Sequence, residues 1–555
     1  MNRNQNSHFA KNPTINIHRS RFDRSHSVKL SFDAGLLIPF YCDEILPGDT
    51  FQIDTSKLIR MQTLAAPIMD NLYLDTYYFF VPNRLVWDDF QRFMGENEDT
   101  YWTNEYVVNV PNVNAPSGGW NIGTIADYFG IPTGKTGFGV NALPFRGYAL
   151  IWNEWFRDEN LQVPQVNKKS TGFATGANLA NTDPDCAWKG GYPLPVSKFK
   201  DYFTSCLPSP QKGPDVLVPL GDYAPVITGD TDWTPSNMTA SGVKTPEPLH
   251  FRVAGSNINN SGAVASGNII SSNGDSGYVS GSNSATGSVY VSNLLANLKD
   301  ATAASINQLR LAFQIQKIYE KDARSGTRYI EILHGHFSVT SPDARLQRPE
   351  YLGGNRMLIN VNQVIQQSES GTTPQGTTTA YSLTVDNHSD FTHSFVEHGF
   401  VIGVMCARYD HTYQQGLEKF WTRRNRFDYY FPSLANIGEQ PVLNKEIFLS
   451  GDASYDNDVF GYQEAWADYR YKPNRVCGEM RSSATNSLDV WHLADDYADK
   501  VYLSDSWIRE DKTNLDRALA VSSETSNQLF GDIYIKNYAT RPMPLFSIPG
   551  LIDHY

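Results

Sequence analysis

"SFVEHGFVIGVMCARYD", residues 394–410, decides the fold class of this 555-residue chain. It reads as a strand long enough to be buried on both faces for part of its course. Two further stretches read the same way. "NLYLDTYYFFVPN" (71–83) is an aromatic strand closed by Pro82, and "DIYIKNYATRPMP" (532–544) alternates Ile533, Ile535 and then Tyr538. The three lie far apart in sequence, so any sheet that joins them pairs non-locally, as Greek-key arrangements do. Sequential strand–helix alternation is missing, which argues against a doubly wound α/β fold.

Helices are few. The clearest is "SINQLRLAFQIQKIYEKDARSG" (305–326), with a capping box from Ser305 and Gln308, an apolar face at Ile306, Leu309 and Phe313, and a stop at Gly326. In the middle, Gly255 to Ser288 interrupts the chain with 23 Gly, Ser or Asn among 34 residues and only Asp275 for charge. Such a tract buries too little apolar surface to offset its ordering entropy.

The chain is 40% hydrophobic and 13% aromatic, enough to bury a large core. Charged residues are only 19%, below the usual quarter, so much of the surface is expected to meet protein rather than water. No run of 18 apolar residues marks a membrane span, and the N-terminus has no apolar h-region of a signal peptide. Five scattered cysteines fit a reducing cytoplasm better than a disulfide framework. The net charge of −13 is uneven: residues 1–30 carry Arg3, Lys11, Arg19, Arg21, Arg24 and Lys29 against Asp23 alone, a balance of +5. Such a segment is either a solvated terminus or an arm that lies on nucleic acid.

Catalytic and metal motifs are absent. "GIPTGKTGFG" (130–139) has three residues between Gly130 and Gly134 where a phosphate loop needs four, and reads as a turn-rich loop. His334, His336, His393 and His398 lack metal-ligand spacing and read as satisfied histidines. In "GDASYDNDVFGYQE", Phe460 stands where a calcium loop needs a polar ligand. No catalytic residue, cofactor or metal is therefore assigned.

"KFWTRRNRFDYYFP" (419–432) does carry chemistry. It interleaves Lys419, Arg423, Arg424 and Arg426 with Phe420, Trp421, Phe427, Tyr429 and Tyr430. Cations that follow phosphates beside rings that accept bases fit single-stranded nucleic acid. An aromatic–arginine protein interface uses the same residues.

Several long blocks resemble the major capsid protein of the Microviridae, in particular the gokushovirus-like group of small single-stranded DNA phages. They include "FDRSHSVKLSFDAGLLIPFYCDEILPGDTFQID" (22–54), "PIMDNLYLDTYYFFVPNRLVWDDFQRFMGE" (67–96) and "LPFRGYALIWNEWFRDENLQ" (143–162). Others are "YQQGLEKFWTRRNRFDYYFPSLANIGEQPVLNKEI" (413–447) and "RPMPLFSIPGLIDHY" (541–555). The blocks run from one terminus to the other in family order. Residues 214–304 and 367–380 match no family block.

The resemblance implies an all-β fold: an eight-stranded antiparallel jelly roll of viral capsid type, with long inter-strand insertions and a few short helices. It divides the chain into a basic arm (1–30), a first part of the jelly roll (31–213), a surface insertion forming a three-fold protrusion (214–304), a second part (305–540) and an extended tail (541–555). Sixty copies, joined through pentameric units, are expected to build a T=1 shell around a circular single-stranded DNA genome. The implied partners are further copies of the chain, that DNA, internal scaffolding and minor virion proteins, and a host cell-surface receptor. Assembly is expected in the bacterial cytoplasm and residence in the virion. The expected DNA contacts are the six arm cations with Arg423, Arg424 and Arg426. Leu545, Phe546, Ile548 and Leu551 are expected to pin the tail on a neighbouring subunit. The alternative class is a cytoplasmic β-rich hydrolase or glycan-binding protein.

Overall fold

The computed structural model describes residues 17–96, 109–216 and 306–547, together with the backbone of six short strands between 226 and 296. The chain divides into two compact units, residues 213–319 and the remainder.

The larger unit is built on two antiparallel sheets. Nine strands form them: β1 (Ser20–Asp23), β2 (His26–Phe32), β3 (Ile38–Ile45), β4 (Thr50–Met61), β5 (Leu72–Pro82), β6 (Glu350–Leu358), β7 (Thr384–Ser394), β8 (Gly399–Tyr409) and β9 (Leu529–Arg541). The first sheet runs β1–β9–β4–β7, with β2 also on β9; the second runs β6–β5–β8–β3. Successive strands fall in different sheets or on distant partners, which is the non-local pairing expected of a jelly roll. The resemblance implies eight strands and nine are counted, because β1 and β2 pair with consecutive stretches of the same strand, β9.

Burial patterns explain the layering. In β4, Phe51, Ile53, Thr55, Lys57, Ile59 and Met61 point inward while Gln52, Leu58 and Arg60 are exposed, the period-two signature of a sheet with one wet face. β8 is buried at ten of its 11 positions. One of its faces meets the first sheet in a core that includes Phe51, Ile533, Tyr78, Val401 and Met405. Its other face, with Ile402, Val404 and Cys406, packs beneath helix α1 (Leu143–Ile151) and the indoles of Trp87, Trp120 and Trp152. Gly147 lets α1 approach closely, since a Cβ there would stand 2.9 Å from Ile402 Cδ1. The residues expected to extend this strand backwards, 394–398, instead belong to the end of β7 and the turn before β8.

A third core gathers Tyr202, Phe203, Tyr413, Ile447, Phe460, Trp507 and Ile508, most of them from the long excursion between β8 and β9. Helix α2 is described over Ile306–Ser325 and ends where its pattern foretold, with Gly326 following at φ 102°; Ser305, the expected cap, lies outside the described residues. Its apolar face is not core: Ile306, Leu309 and Phe313 are all exposed.

Among the described residues, the smaller unit contains three antiparallel ladders nested one inside another. Val226–Thr228 pairs with Leu294–Ala296, Phe251–Val253 with Val289–Val291, and Ile270–Ser272 with Ser276–Tyr278. The innermost lies within the Gly/Ser/Asn tract; most of that tract falls outside the described residues.

Candidate nucleic-acid and assembly surfaces

Residues 419–434 follow β8 in the excursion and form three single-turn helices, Lys419–Thr422, Arg426–Asp428 and Pro432–Leu434. The Asp428 carboxylate fixes the middle turn by accepting from the backbone N–H groups of Asn425 and Arg424, each at 2.7 Å. Those donors stabilise its charged form and lower its pKa. Short turns of this kind leave side chains outside any core. Trp421 is 67% exposed and Phe427 72%, with Phe420, Tyr429 and Tyr430 also exposed.

The three predicted arginines fare differently. Arg423 pairs with Asp468 and lies over the Tyr469 ring, 4.2 Å from its centroid. Arg426 lies 5.5 Å from the centroid of Phe431, and Arg424 is exposed.

The described arm cations are built into the first sheet. Arg19 donates to Thr50 Oγ1 at 3.4 Å, and Arg21 lies 4.0 Å from the centroid of Tyr538. Arg24 pairs with Asp43 at 2.9 Å and Lys29 with Asp532 at 2.7 Å. Arg3 and Lys11 lie outside the described residues. The two candidate groups thus stand on different supports, one on the sheet and one on the excursion. In the tail, Leu545 and Phe546 are exposed, whereas Ile548 and Leu551 lie outside the described residues.

Sequence reasoning overlooked a third group. Arg470, Lys472, Arg475 and Arg481 line the same cavity as Lys419, Trp421 and Arg423. The signal was present in "YRYKPNRVCGEMR" (469–481), which repeats the basic–aromatic interleaving of 419–432 in sparser form. Also overlooked was the buried charge cluster of Lys198, His411, Asp495 and Glu510.

The weak motifs resolve into local structure. Residues 130–138 form a turn-rich loop with Gly130, Gly134 and Gly137 at positive φ, and Gly139 begins a short strand, Gly139–Asn141. Asp452 caps a single helical turn by accepting from Ser454 N at 3.0 Å. His336 pairs with Asp322 at 2.7 Å; His393 and His398 pack against Phe395 and Phe90. Among the described residues, no group of three or more His, Cys, Asp or Glu side chains is arranged to hold a metal ion, and no helix is long and apolar enough to cross a membrane.

Comparison with known proteins decides what these surfaces belong to. The family profile described as "Capsid protein (F protein)" matches residues 10–551. The chain belongs to this phage capsid family. It is 43% identical to capsid protein VP1 of Spiroplasma virus 4, over 96% of each chain. It is 41% identical to capsid protein VP1 of Chlamydia phage 1, over 98% of this chain and 97% of that one. With capsid protein VP1 of Bdellovibrio phage phiMH2K the figure is 40%, over 100% and 99%. The chain is a structural capsid protein of a small phage, not an enzyme, and the hydrolase alternative falls.

Proposed function

We propose that sixty copies of this chain, assembled through pentameric units, close into a T=1 shell around a circular single-stranded DNA genome. The observation that carries this reading is the pairing of a double-sheet barrel with large side chains left bare on a sparsely charged chain: Val396 is 86% exposed, Ile122 81% and Phe546 77%. A closed, symmetric assembly buries such groups without leaving a growing edge. The basic arm and the 419–432 segment face the genome and contact its backbone without reading sequence. Residues 214–304 stand at the outside of the three-fold axes and meet a host cell-surface receptor, since a rigid barrel tolerates a long insertion at little entropic cost. Internal scaffolding and minor virion proteins assist assembly in the bacterial cytoplasm.

Negative-stain imaging and size-exclusion chromatography of the pure protein test the assembly reading. Shells or pentameric units are the expected result; a monomer at all concentrations and salt conditions overturns it.

A further inference from the structure

The basic–aromatic segment forms one wall of a cavity of about 660 Å³, and residues 468–481 form the other. Six cations line it (Lys419, Arg423, Arg470, Lys472, Arg475 and Arg481) against three carboxylates, Glu418, Glu446 and Asp468. This is a positive site on a chain whose net charge is −13. The carboxylates do not neutralise it evenly. Asp468 takes Arg423, while Glu418 takes Lys472 and stands 3.9 Å from Arg475. Arg470 reaches out to Glu464. Arg481 donates to the Gln414 carbonyl at 3.0 Å, and the Arg475 side chain is 64% exposed.

The same cavity presents flat rings. Trp421 lies 4.5 Å from Phe420, centroid to centroid, and most of the indole stays uncovered. The Lys472 ammonium stands 4.9 Å from the Phe420 centroid. Tyr471 stacks on Tyr202 at 5.2 Å with 5° between planes. The volume lies within the range of roughly 300–1,000 Å³ of small-ligand sites. An acidic peptide would be met by the cations, but it would cover the indole only if it also carried apolar side chains. A nucleotide uses both, its base on the ring and its phosphate among the cations.

We propose that the cavity between residues 418–423 and 468–481 is a seat for one nucleotide of single-stranded nucleic acid, the base stacked on Trp421 and the flanking phosphates held by Lys472, Arg475 and Arg481. This inference rests on the reading that the chain encloses single-stranded DNA. It adds a defined pocket and four cations, Arg470, Lys472, Arg475 and Arg481, that the 419–432 motif does not include.

The test is fluorescence anisotropy of a labelled twelve-residue oligothymidylate on the full chain across a salt series. Trp421→Ala is expected to weaken binding by about tenfold and Trp421→Phe to retain most of it, as base stacking requires. The double change Arg475→Gln and Arg481→Gln is expected to flatten the log–log salt slope by about 1.4, at about 0.7 for each phosphate left without its cation. These side chains are solvent-facing, and unchanged melting curves will exclude misfolding as the cause. If wild type binds the oligonucleotide and both pocket variants bind it equally well with the same slope, the seat is wrong while DNA enclosure stands. If wild type binds none at low salt, both readings fall. Displacement of the oligonucleotide by oligoglutamate that is insensitive to Trp421→Ala overturns the seat in favour of a protein-docking cleft.

Discussion

His411 and Asp495 meet at 3.0 Å, Nδ1 to Oδ1, with at most 3% of either side chain open to solvent. The other ring nitrogen of His411 faces Glu510 Oε1 at 2.9 Å, and Lys198 Nζ lies 3.6 Å from Asp495 Oδ2. The cluster ties residues just beyond β8 to the far end of the excursion. Burial alone would lower the histidine pKa, but Asp495 and Glu510 outweigh it and raise it to about 10. Burial likewise works to raise Asp495, yet Lys198 and His411 prevail and hold it well below the carboxylate range. A charged His411 donating from both nitrogens follows.

The pH dependence has a definite sign. His411 contributes stability in full below its ordinary value of 6.5 and loses it as pH rises towards 10. Asp495 contributes above its ordinary value of 3.8 and loses it as pH falls below that. The cluster is therefore strongest between those two values. Melting temperature of the unassembled protein should fall on raising the pH from 6.5 to 9. His411→Gln should remove that slope and cost about 3 kcal/mol at pH 6, because it leaves the buried Glu510 carboxylate without its cation and Asp495 with Lys198 alone. An unchanged slope in the variant would show that other groups set the alkaline limb.

Lys57 makes a second test of buried charge. Its side chain is fully buried on β4, donating to Thr76 Oγ1 at 3.0 Å and pairing with Asp386 at 3.2 Å. Asp386→Ala strands the ammonium between the sheets and should cost about 3 kcal/mol, whereas Lys57→Met should cost clearly less. Chemical denaturation of the two variants side by side checks the order, and a reversed order refutes the account.

The tail can be separated from the sheet. Arg541 belongs to β9 and pairs with Asp49 at 3.3 Å, so a truncation should spare it. Ending the chain after Met543 removes Leu545, Phe546, Ile548 and Leu551. The expected result is a folded subunit of unchanged melting temperature that forms no shells in negative stain. Normal particle yield would show that the tail straps nothing.

For the arm, the informative variant is Arg19→Gln with Arg21→Gln. Arg24 is better left in place, since its bond to Asp43 holds β1 to the neighbouring sheet. Single-stranded DNA binding should weaken, and its salt slope should flatten by about 0.7 for each phosphate that the arm no longer neutralises. An identical slope would assign the arm to packing rather than to the genome.

The strands were legible because their signals are local. The aromatic run before Pro82 and the alternation of Ile533 with Ile535 mark β5 and β9 to within a few residues. Which strands pair was not written locally: the family resemblance named the type of fold, and the pairing itself appears only in the structure. The exposed face of α2 misled in a different way, since periodicity records that apolar residues share a face and says nothing about what covers it. The charge cluster around His411 was invisible because its four members are spread from residue 198 to residue 510. The cavity was half visible: 419–432 declared itself, but its second wall lies some fifty positions further on and is joined to it only by folding.

Strand β9, the last of the described strands, is central in its sheet, with β2 on one side and β4 on the other. Lys29 and Asp532, bonded across that ladder, are 503 residues apart. At about 5–20 residues per second, a ribosome needs roughly 25 to 100 s between making the first and making the second. During that interval β2 and β4 have no partner between them, and a chain released early never acquires one. Synthesis of β9 is thus the event that lets the first sheet close. A chain cut short before β9 lacks the strand that joins β2 to β4, and its unfinished sheet is expected to bar it from assembly without a separate mechanism to reject it.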